Sequence, residues 1–274
     1  MSKLEDEYMS RLAEVLDVAE VEGVIREAGA FARKEFLGFS RKSIIYKGHN
    51  DLVSYVDVET EKMLKAGFRE LLPGAGFINE EGDDEASVNG FRWIIDPIDG
   101  TTNFTHGLPL FAISVALQYK EETVLGIVYE VAHDEMFVAV KGKGASLNGK
   151  PISVSDIDNL SEGLVATGFP YTKFDWLDDY MEMLTDFMRE THGIRRLGSA
   201  AIDLAFVACG RFEGFFEIGL NPWDVAAGAL IVEEAGGKVT DFEAEDDFLF
   251  GRKILASNGH VHKRMLGVIN RFEF

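Results

Sequence analysis

The apolar run Trp93-Ile94-Ile95 ends at Asp96-Pro97-Ile98-Asp99 and passes into Gly100-Thr101-Thr102-Asn103-Phe104. Two carboxylates three residues apart repel each other unless a cation lies between them. Carboxylate oxygens are hard donors of the kind Mg²⁺ takes. An apolar run that stops at acids places them at a strand's carboxyl end, where α/β folds commonly build sites. Pro97 has no N–H and a fixed φ, so it interrupts a sheet ladder and bends the chain between the acids. This string therefore suggests a divalent-cation site facing a phosphate pocket. Asp-Pro and Asp-Gly are also ordinary turn dipeptides, so two further segments matter. Phe77-Ile78-Asn79-Glu80-Glu81-Gly82 repeats the apolar-to-acidic switch, and Asn221-Pro222-Trp223-Asp224 sets an aspartate at the start of a helix. An acid there either caps the helix or binds metal, while the free N–H groups behind it favour an anion.

The elements that must position these residues are legible from periodicity. Apolar residues recur at helical spacing over residues 4–36, and residues 57–72 read as a second helix closed by Pro73-Gly74. Residues 46–50 read as a loop. Apolar stretches at 92–96, 112–117, 124–129 and 136–140 are separated by short polar turns, as in a meandering antiparallel sheet. After Pro151 strands and helices alternate: strands at 164–167, 214–217 and 253–256, helices at 175–189, 199–209, 225–235 and 261–271. The expected organisation is an N-terminal half, 1–150, carrying most of the acids, and a C-terminal α/β half, 151–274, carrying Asp224.

Asp and Glu total 47 against 27 Lys and Arg, a net charge of -20. That balance disfavours nucleic acid and anionic membranes as partners. It would also repel an anionic substrate, unless a bound cation reverses the sign locally. The single cysteine, Cys209, excludes an internal disulfide and a cysteine metal cage. It lies in Ala205-Phe206-Val207-Ala208-Cys209, a core-packing context. No basic apolar leader and no run of about 18 apolar residues is present, so a soluble cytoplasmic protein is expected.

Glu80-Glu81, the string from Trp93 to Phe104, and the run from Trp223-Asp224-Val225 to Ala235-Gly236-Gly237 resemble, in this order, the inositol monophosphatase family. The resemblance implies an α/β (α+β) fold layered as an αβαβα sandwich. It also implies a Mg²⁺-dependent, often Li⁺-sensitive phosphomonoesterase with two or three Mg²⁺ per site. Glu80 matches a metal ligand that orients the attacking water, and Asp96 a carboxylate bridging two metals. Ile98 would lend its backbone carbonyl, and Asp99 and Asp224 match ligands of a second metal. Thr101 matches a threonine that helps activate water, and Asp57 the aspartate that hydrogen-bonds it. Gly100, Thr101 and Thr102 would present N–H groups and hydroxyls to the phosphate, with Asp99 and Asp224 beside it. Gly198, Ser199, Ala200 and Glu217 match the segment that meets the substrate's hydroxyls.

The implied substrate is inositol monophosphate or a similar small polyol or sugar phosphate, and relatives are commonly dimers. Fructose 1,6-bisphosphate and histidinol phosphate are rival substrates, the first hinted at by Arg195-Arg196. A non-catalytic interaction protein on the same fold is the reading of a different class. One departure stands out: Asn79 occupies a position where the family usually has glycine before the paired glutamates.

Overall fold

The computed structural model describes residues 16–38, 44–48, 51–169, 176–272 and 274. The first sheet has seven strands in the order β3-β4-β5-β6-β7-β8-β9. They are β3 (Gly76–Asn79), β4 (Phe91–Asp99), β5 (Ala112–Tyr119), β6 (Glu122–Glu130), β7 (Glu135–Val140), β8 (Ala145–Leu147) and β9 (Lys150–Ile152). β3 pairs parallel with β4, and every later pair is antiparallel. Side chains alternate faces along a strand, and β4 uses both. Trp93 and Ile95 join one core and Ile94 the other. β5 is buried at every position, which explains why it reads as a continuous apolar run rather than an alternation.

One face is covered by α1 (Val18–Gly38) and α2 (Tyr55–Leu71). Val21, Ile25, Ala28 and Ala32 form a stripe at spacings of four and three along α1, and Val56, Leu64 and Phe68, eight and four residues apart, lie on one face of α2. Phe68 stacks on Trp93 with ring centroids 4.2 Å apart. Truncating such a buried aromatic costs about 3–5 kcal/mol.

The opposite face carries α5 (Ala200–Ala208) and α6 (Pro222–Glu234), followed by a second sheet of five strands ordered β11-β10-β12-β14-β13. These strands are β10 (Leu164–Thr167), β11 (Gly193–Arg195), β12 (Gly214–Ile218), β13 (Lys238–Thr240) and β14 (Lys253–Ser257). A helix apolar all round must be buried all round. α6 is such a helix, with Val225 through Val232 all buried. Its small residues permit close approach: a Cβ on Gly126 of β6 would fall 2.6 Å from the Ala227 carbonyl oxygen, and one on Gly228 would fall 2.6 Å from Leu204 Cβ. α4 (Leu177–Glu190) and α7 (His262–Ile269) close the outer face of the second sheet, where Phe187 stacks on Phe216 at 4.4 Å. The layering is α1/α2, first sheet, α5/α6, second sheet, α4/α7, the αβαβα order expected. The chain passes between sheets from Ile152 to Leu164, and α5 and α6 share one core with strands of both.

Several elements differ from the periodicity. Tyr46, Lys47 and Gly48, expected in a loop, lie in β1 (Ile44–Gly48), which pairs antiparallel with β2 (Asp51–Ser54). Residues 49–50 of that loop, the part of the first helix before residue 16, and residue 175 lie outside the described residues. The meander from β4 to β7 is antiparallel as expected, and β3, which is not among the expected strands, joins its edge in parallel. α6 begins at Pro222 rather than 225, because a proline at the first turn needs no N–H partner.

Candidate active site

β4 delivers both aspartates through an irregularity. Asp96 pairs with Ser114 and Asp99 with Ala112, so three residue steps on β4 span two on β5. In a regular strand, residues three apart point to opposite faces. The extra residue at Pro97 restores the phase, and both acids face the α5/α6 layer. The Asp96 carboxylate accepts the Ile98 N–H at 2.9 Å, fixing the bend.

Gly100 then turns the chain in the left-handed region (φ 97°), where a Cβ would crowd the Leu110 carbonyl oxygen at 3.0 Å. It opens the short helix α3 (Thr101–His106). The Thr101 hydroxyl lies 2.9 Å from both Asp57 Oδ1 and the Ile98 carbonyl oxygen. Asp57 is fully buried in the first turn of α2. One helical turn further, Glu61 accepts the Glu81 N–H at 2.9 Å. The same face of α2 thus holds Thr101 through Asp57 and the turn carrying Glu80 through Glu61.

Asn79 needs no left-handed geometry here, since it is not among the residues of positive φ. It is buried, its side chain donates to the Asp83 carbonyl at 3.0 Å, and its N–H donates to Asp84 at 3.2 Å. Glu85 pairs with Lys65 at 2.8 Å and Arg69 at 2.6 Å. Asp84 and Glu85 therefore brace the loop that follows the ligand candidates.

From the second half, Ser199 caps α5 and its hydroxyl donates to Asp99 Oδ2 at 2.6 Å, joined by the Ala201 N–H at 2.6 Å. Asp224 occupies the third helical position of α6 rather than the cap. Asn221 is the cap, and its N–H donates to Asp224 Oδ2 at 2.7 Å. Capping uses one carboxylate oxygen and leaves the other for the site, so both sequence readings of Asp224 are compatible.

Ligand atoms of Asp96, Asp99 and Asp224 lie within 4.8 Å of one another. Glu80 adjoins them, and its Oε2 is buried without a hydrogen-bond partner among the described residues. Burial drives every one of these acids toward its protonated form, and like charge adds to it at Glu80, Asp96 and Asp224. Asp96 and Glu80 are pushed well above the usual carboxylate range, Asp96 by burial and then Glu80, Glu80 by burial and then Asp224. Asp224 is raised to about 7 by burial and Asp99. Asp99 is raised to about 6 by burial, with the Ser199 hydroxyl and the Ala201 N–H pulling it back. A dense, oxygen-only, under-bonded set of acids fits a hard divalent cation.

These groups open onto a cavity of about 670 Å³. Glu80, Asp96, Ile98, Asp99, Gly100, Thr101 and Thr102 line it from the first half, and Gly198, Ser199, Ala200, Glu217 and Asp224 from the second. Of the site residues singled out from sequence, Asp57 alone is absent from this wall, being buried behind Thr101. Arg196 lines the cavity, whereas Arg195 ends β11, exposed, with its guanidinium on the Ile194 carbonyl.

The sequence reading missed Glu61, Asn103 and Asp203. Asn103 donates to the Leu110 carbonyl at 2.7 Å and the Leu197 carbonyl at 2.8 Å, binding α3 to the segment before Ser199. Asp203 had a visible signal, as the lone charge in the otherwise apolar Ala200–Ala208.

Fold and site together define an αβαβα protein whose metal-competent acids meet at a cavity shared by its two halves. The inositol monophosphatase family model matches residues 12–271, and the chain belongs to that family. A putative Nus factor SuhB from Neisseria meningitidis is 45% identical over 225 residues, covering 82% of this chain and 86% of its own. An inositol-1-monophosphatase from Mesorhizobium japonicum is 38% identical over 246 residues, 89% of this chain and 92% of its own. The crystal structure of the extragenic suppressor protein suhB from Bartonella henselae superposes with a TM-score of 0.89 at 36% identity, covering 93% of this chain and 98% of that one. Among the described residues no helix is long and apolar enough to cross a membrane.

Proposed function

We propose that the protein is a Mg²⁺-dependent phosphomonoesterase that hydrolyses inositol monophosphate or a similar small polyol phosphate by in-line attack of water. One observation carries this reading: Thr101, held by buried Asp57, opens onto the same cavity as Glu80, Asp96, Asp99 and Asp224. Phosphoryl transfer asks for positioning and charge neutralisation more than covalent chemistry. Glu80, Asp96, Asp99, Asp224 and the Ile98 carbonyl would hold the ions, with Asp96 shared between them. Mg²⁺ bound there supplies charge neutralisation and Lewis acidity. The Thr101 hydroxyl donates to Asp57, which leaves a lone pair facing the attacking water; as the water's proton moves to Thr101, the hydroxyl's own proton passes to Asp57. Glu80 orients that water. Gly100, Thr101 and Thr102 receive the phosphate oxygens through N–H groups and hydroxyls, while Gly198, Ser199, Ala200 and Glu217 meet the alcohol.

Inhibition by Li⁺, a dimeric state and residence in the cytoplasm belong to the same proposal, by analogy with the family. The Neisseria relative's name, a putative Nus factor, favours a second role, as an interaction protein. An intact set of acids has no use in a purely structural partner, so we place catalysis first. The test is a phosphate-release screen with Mg²⁺ over inositol 1-phosphate, fructose 1,6-bisphosphate, histidinol phosphate, adenosine 3′,5′-bisphosphate and NADP. Turnover fastest on inositol 1-phosphate is expected. Silence on all five with metal bound would leave only the interaction role.

A further inference from the structure

Asp203 stands in the first turn of α5 and is 1% exposed. It lines the cavity, and its Oδ1 has no hydrogen-bond partner among the described residues. An acid near a helix N-terminus gains a little from the macrodipole, but burying it under-bonded costs far more. Alanine or asparagine would fit α5 without that penalty. A buried acceptor without a partner, on a residue of a cavity wall, is what a site built for a hydrogen-bond donor looks like before the donor arrives.

Glu217 on β12 belongs to the same end of the cavity. It is buried, and a Cβ on Gly168 would fall 1.8 Å from its Oε1, so glycine there leaves room for the carboxylate. Glu217 is the charge that acts most strongly on Asp203, followed by Asp99, with Arg196 the nearby cation.

We propose that Asp203 is a specificity residue paired with Glu217. Asp203 Oδ1 accepts a hydrogen bond from one substrate hydroxyl while Glu217 accepts from another, so the cavity selects a neutral polyol and rejects a second phosphate at that end. This deepens the phosphatase reading and rests on it for the substrate's other, phosphate end. A hydroxyl supplies the missing donor without bringing charge. A second phosphate brings acceptors and negative charge to an end of the cavity already crowded with the buried acids Asp203, Glu217 and Asp99. An ammonium group would find Arg196 already in place. A site built around a substrate hydroxyl discriminates strongly against analogues that lack it, because its own polar groups are then left unpaired.

The test compares wild type, Asp203→Ala and Asp203→Asn on inositol 1-phosphate and on p-nitrophenyl phosphate, which carries no alcohol hydroxyls. Asp203→Ala should raise KM for inositol 1-phosphate about tenfold or more with kcat changed by less than about threefold. Its loss of kcat/KM on p-nitrophenyl phosphate should be at least about fivefold smaller. Asp203→Asn, whose Oδ1 still accepts, should recover part of the loss. Both variants should melt at or above the wild-type temperature without ligand, since an under-bonded buried acid is gone; a merely structural aspartate would lower it. Relative activity on fructose 1,6-bisphosphate should rise in Asp203→Ala. Equal losses on both monophosphates, a lowered melting temperature with unchanged substrate ranking, or a greater dependence on Asp203 for histidinol phosphate would each overturn the proposal. A wild type that binds inositol 1-phosphate by calorimetry without releasing phosphate fails the phosphatase reading alone. The affinities of the two variants for inositol 1-phosphate then decide Asp203 by the same ratios, and no binding by wild type overturns it.

Discussion

At the start of α7, His262 is buried with both ring nitrogens bonded, Nδ1 to the Ser257 hydroxyl at 2.9 Å and Nε2 to the Thr240 hydroxyl at 3.0 Å. In the cavity wall, Glu80 Oε2 and Asp203 Oδ1 are also buried and have no partner among the described residues. The first cluster can be followed proton by proton. Thr240 donates to the Asp241 carbonyl at 2.7 Å, so it accepts from His262 Nε2–H, and Nδ1 accepts from Ser257. Burial and then Lys238 hold His262 neutral, with its pKa lowered to about 4. Nothing in this cluster is left for a ligand, whereas the acids of the cavity leave acceptors open. The contrast separates polar burial that stabilises the fold from polar burial that awaits a partner. It predicts a double dissociation: changes in the cavity remove activity and spare stability, and changes at His262 do the reverse.

The largest effect should come from Asp96→Asn. Removing the charge that all the other acids surround should cut kcat/KM about a thousandfold or more while leaving the melting temperature unchanged or higher. Phosphate release and thermal unfolding measure both, and a sharp fall in melting temperature would break the comparison. Thr101→Ala should follow, with kcat down about a hundredfold and KM little changed, as expected for loss of an oriented proton acceptor. Equal loss in binding would instead make Thr101 a phosphate contact.

On the other side of the contrast, His262→Ala should cost about 2–4 kcal/mol in urea unfolding and leave kcat within about twofold. The pH dependence follows from the lowered pKa: the native state keeps His262 neutral while the unfolded state gains a proton below 6.5. Its contribution is therefore complete above pH 6.5 and is lost as pH falls toward about 4. The variant's stability deficit should shrink over that window, and a constant deficit would contradict the assignment. The smallest effect belongs to Glu61→Gln. It loosens the Glu81 N–H bond behind Glu80 and should lower kcat severalfold, at an unchanged substrate ranking.

Much of this contrast was legible in the sequence, though unevenly. The acids of the cavity could be read because each interrupts an apolar run, and because three such interruptions follow the order of a known family. The long strands β4 to β7 announced themselves by continuous apolarity, since helices cover both faces of their sheet. The four-residue strand β3 did not, because Phe77-Ile78 is too short to distinguish a strand from a turn, and its parallel pairing with β4 is a tertiary fact. Tyr46-Lys47-Gly48 looked like a loop because glycine and polar residues dominate it, yet pairing with β2 makes it a strand. Asp203 was passed over because α5 reads as core, although a lone charge in Ala200–Ala208 was the signal that its carboxylate is out of place there. The His262 cluster was invisible for the opposite reason. Ser257, His262 and Thr240 come from two strands and a helix, and nothing in their local sequence joins them.

The most direct test of the central claim, that the under-bonded acids form a divalent-cation site, is a calorimetric titration with Mg²⁺ at about pH 6.5 in buffers of different ionisation heat. Asp99 and Asp224 are raised to about 6 and about 7, so cation binding must displace protons from the cluster. The account predicts saturable binding with net proton release in wild type, abolished or greatly weakened in Asp96→Asn. Absence of binding in wild type, or binding of equal strength in the variant, would contradict it.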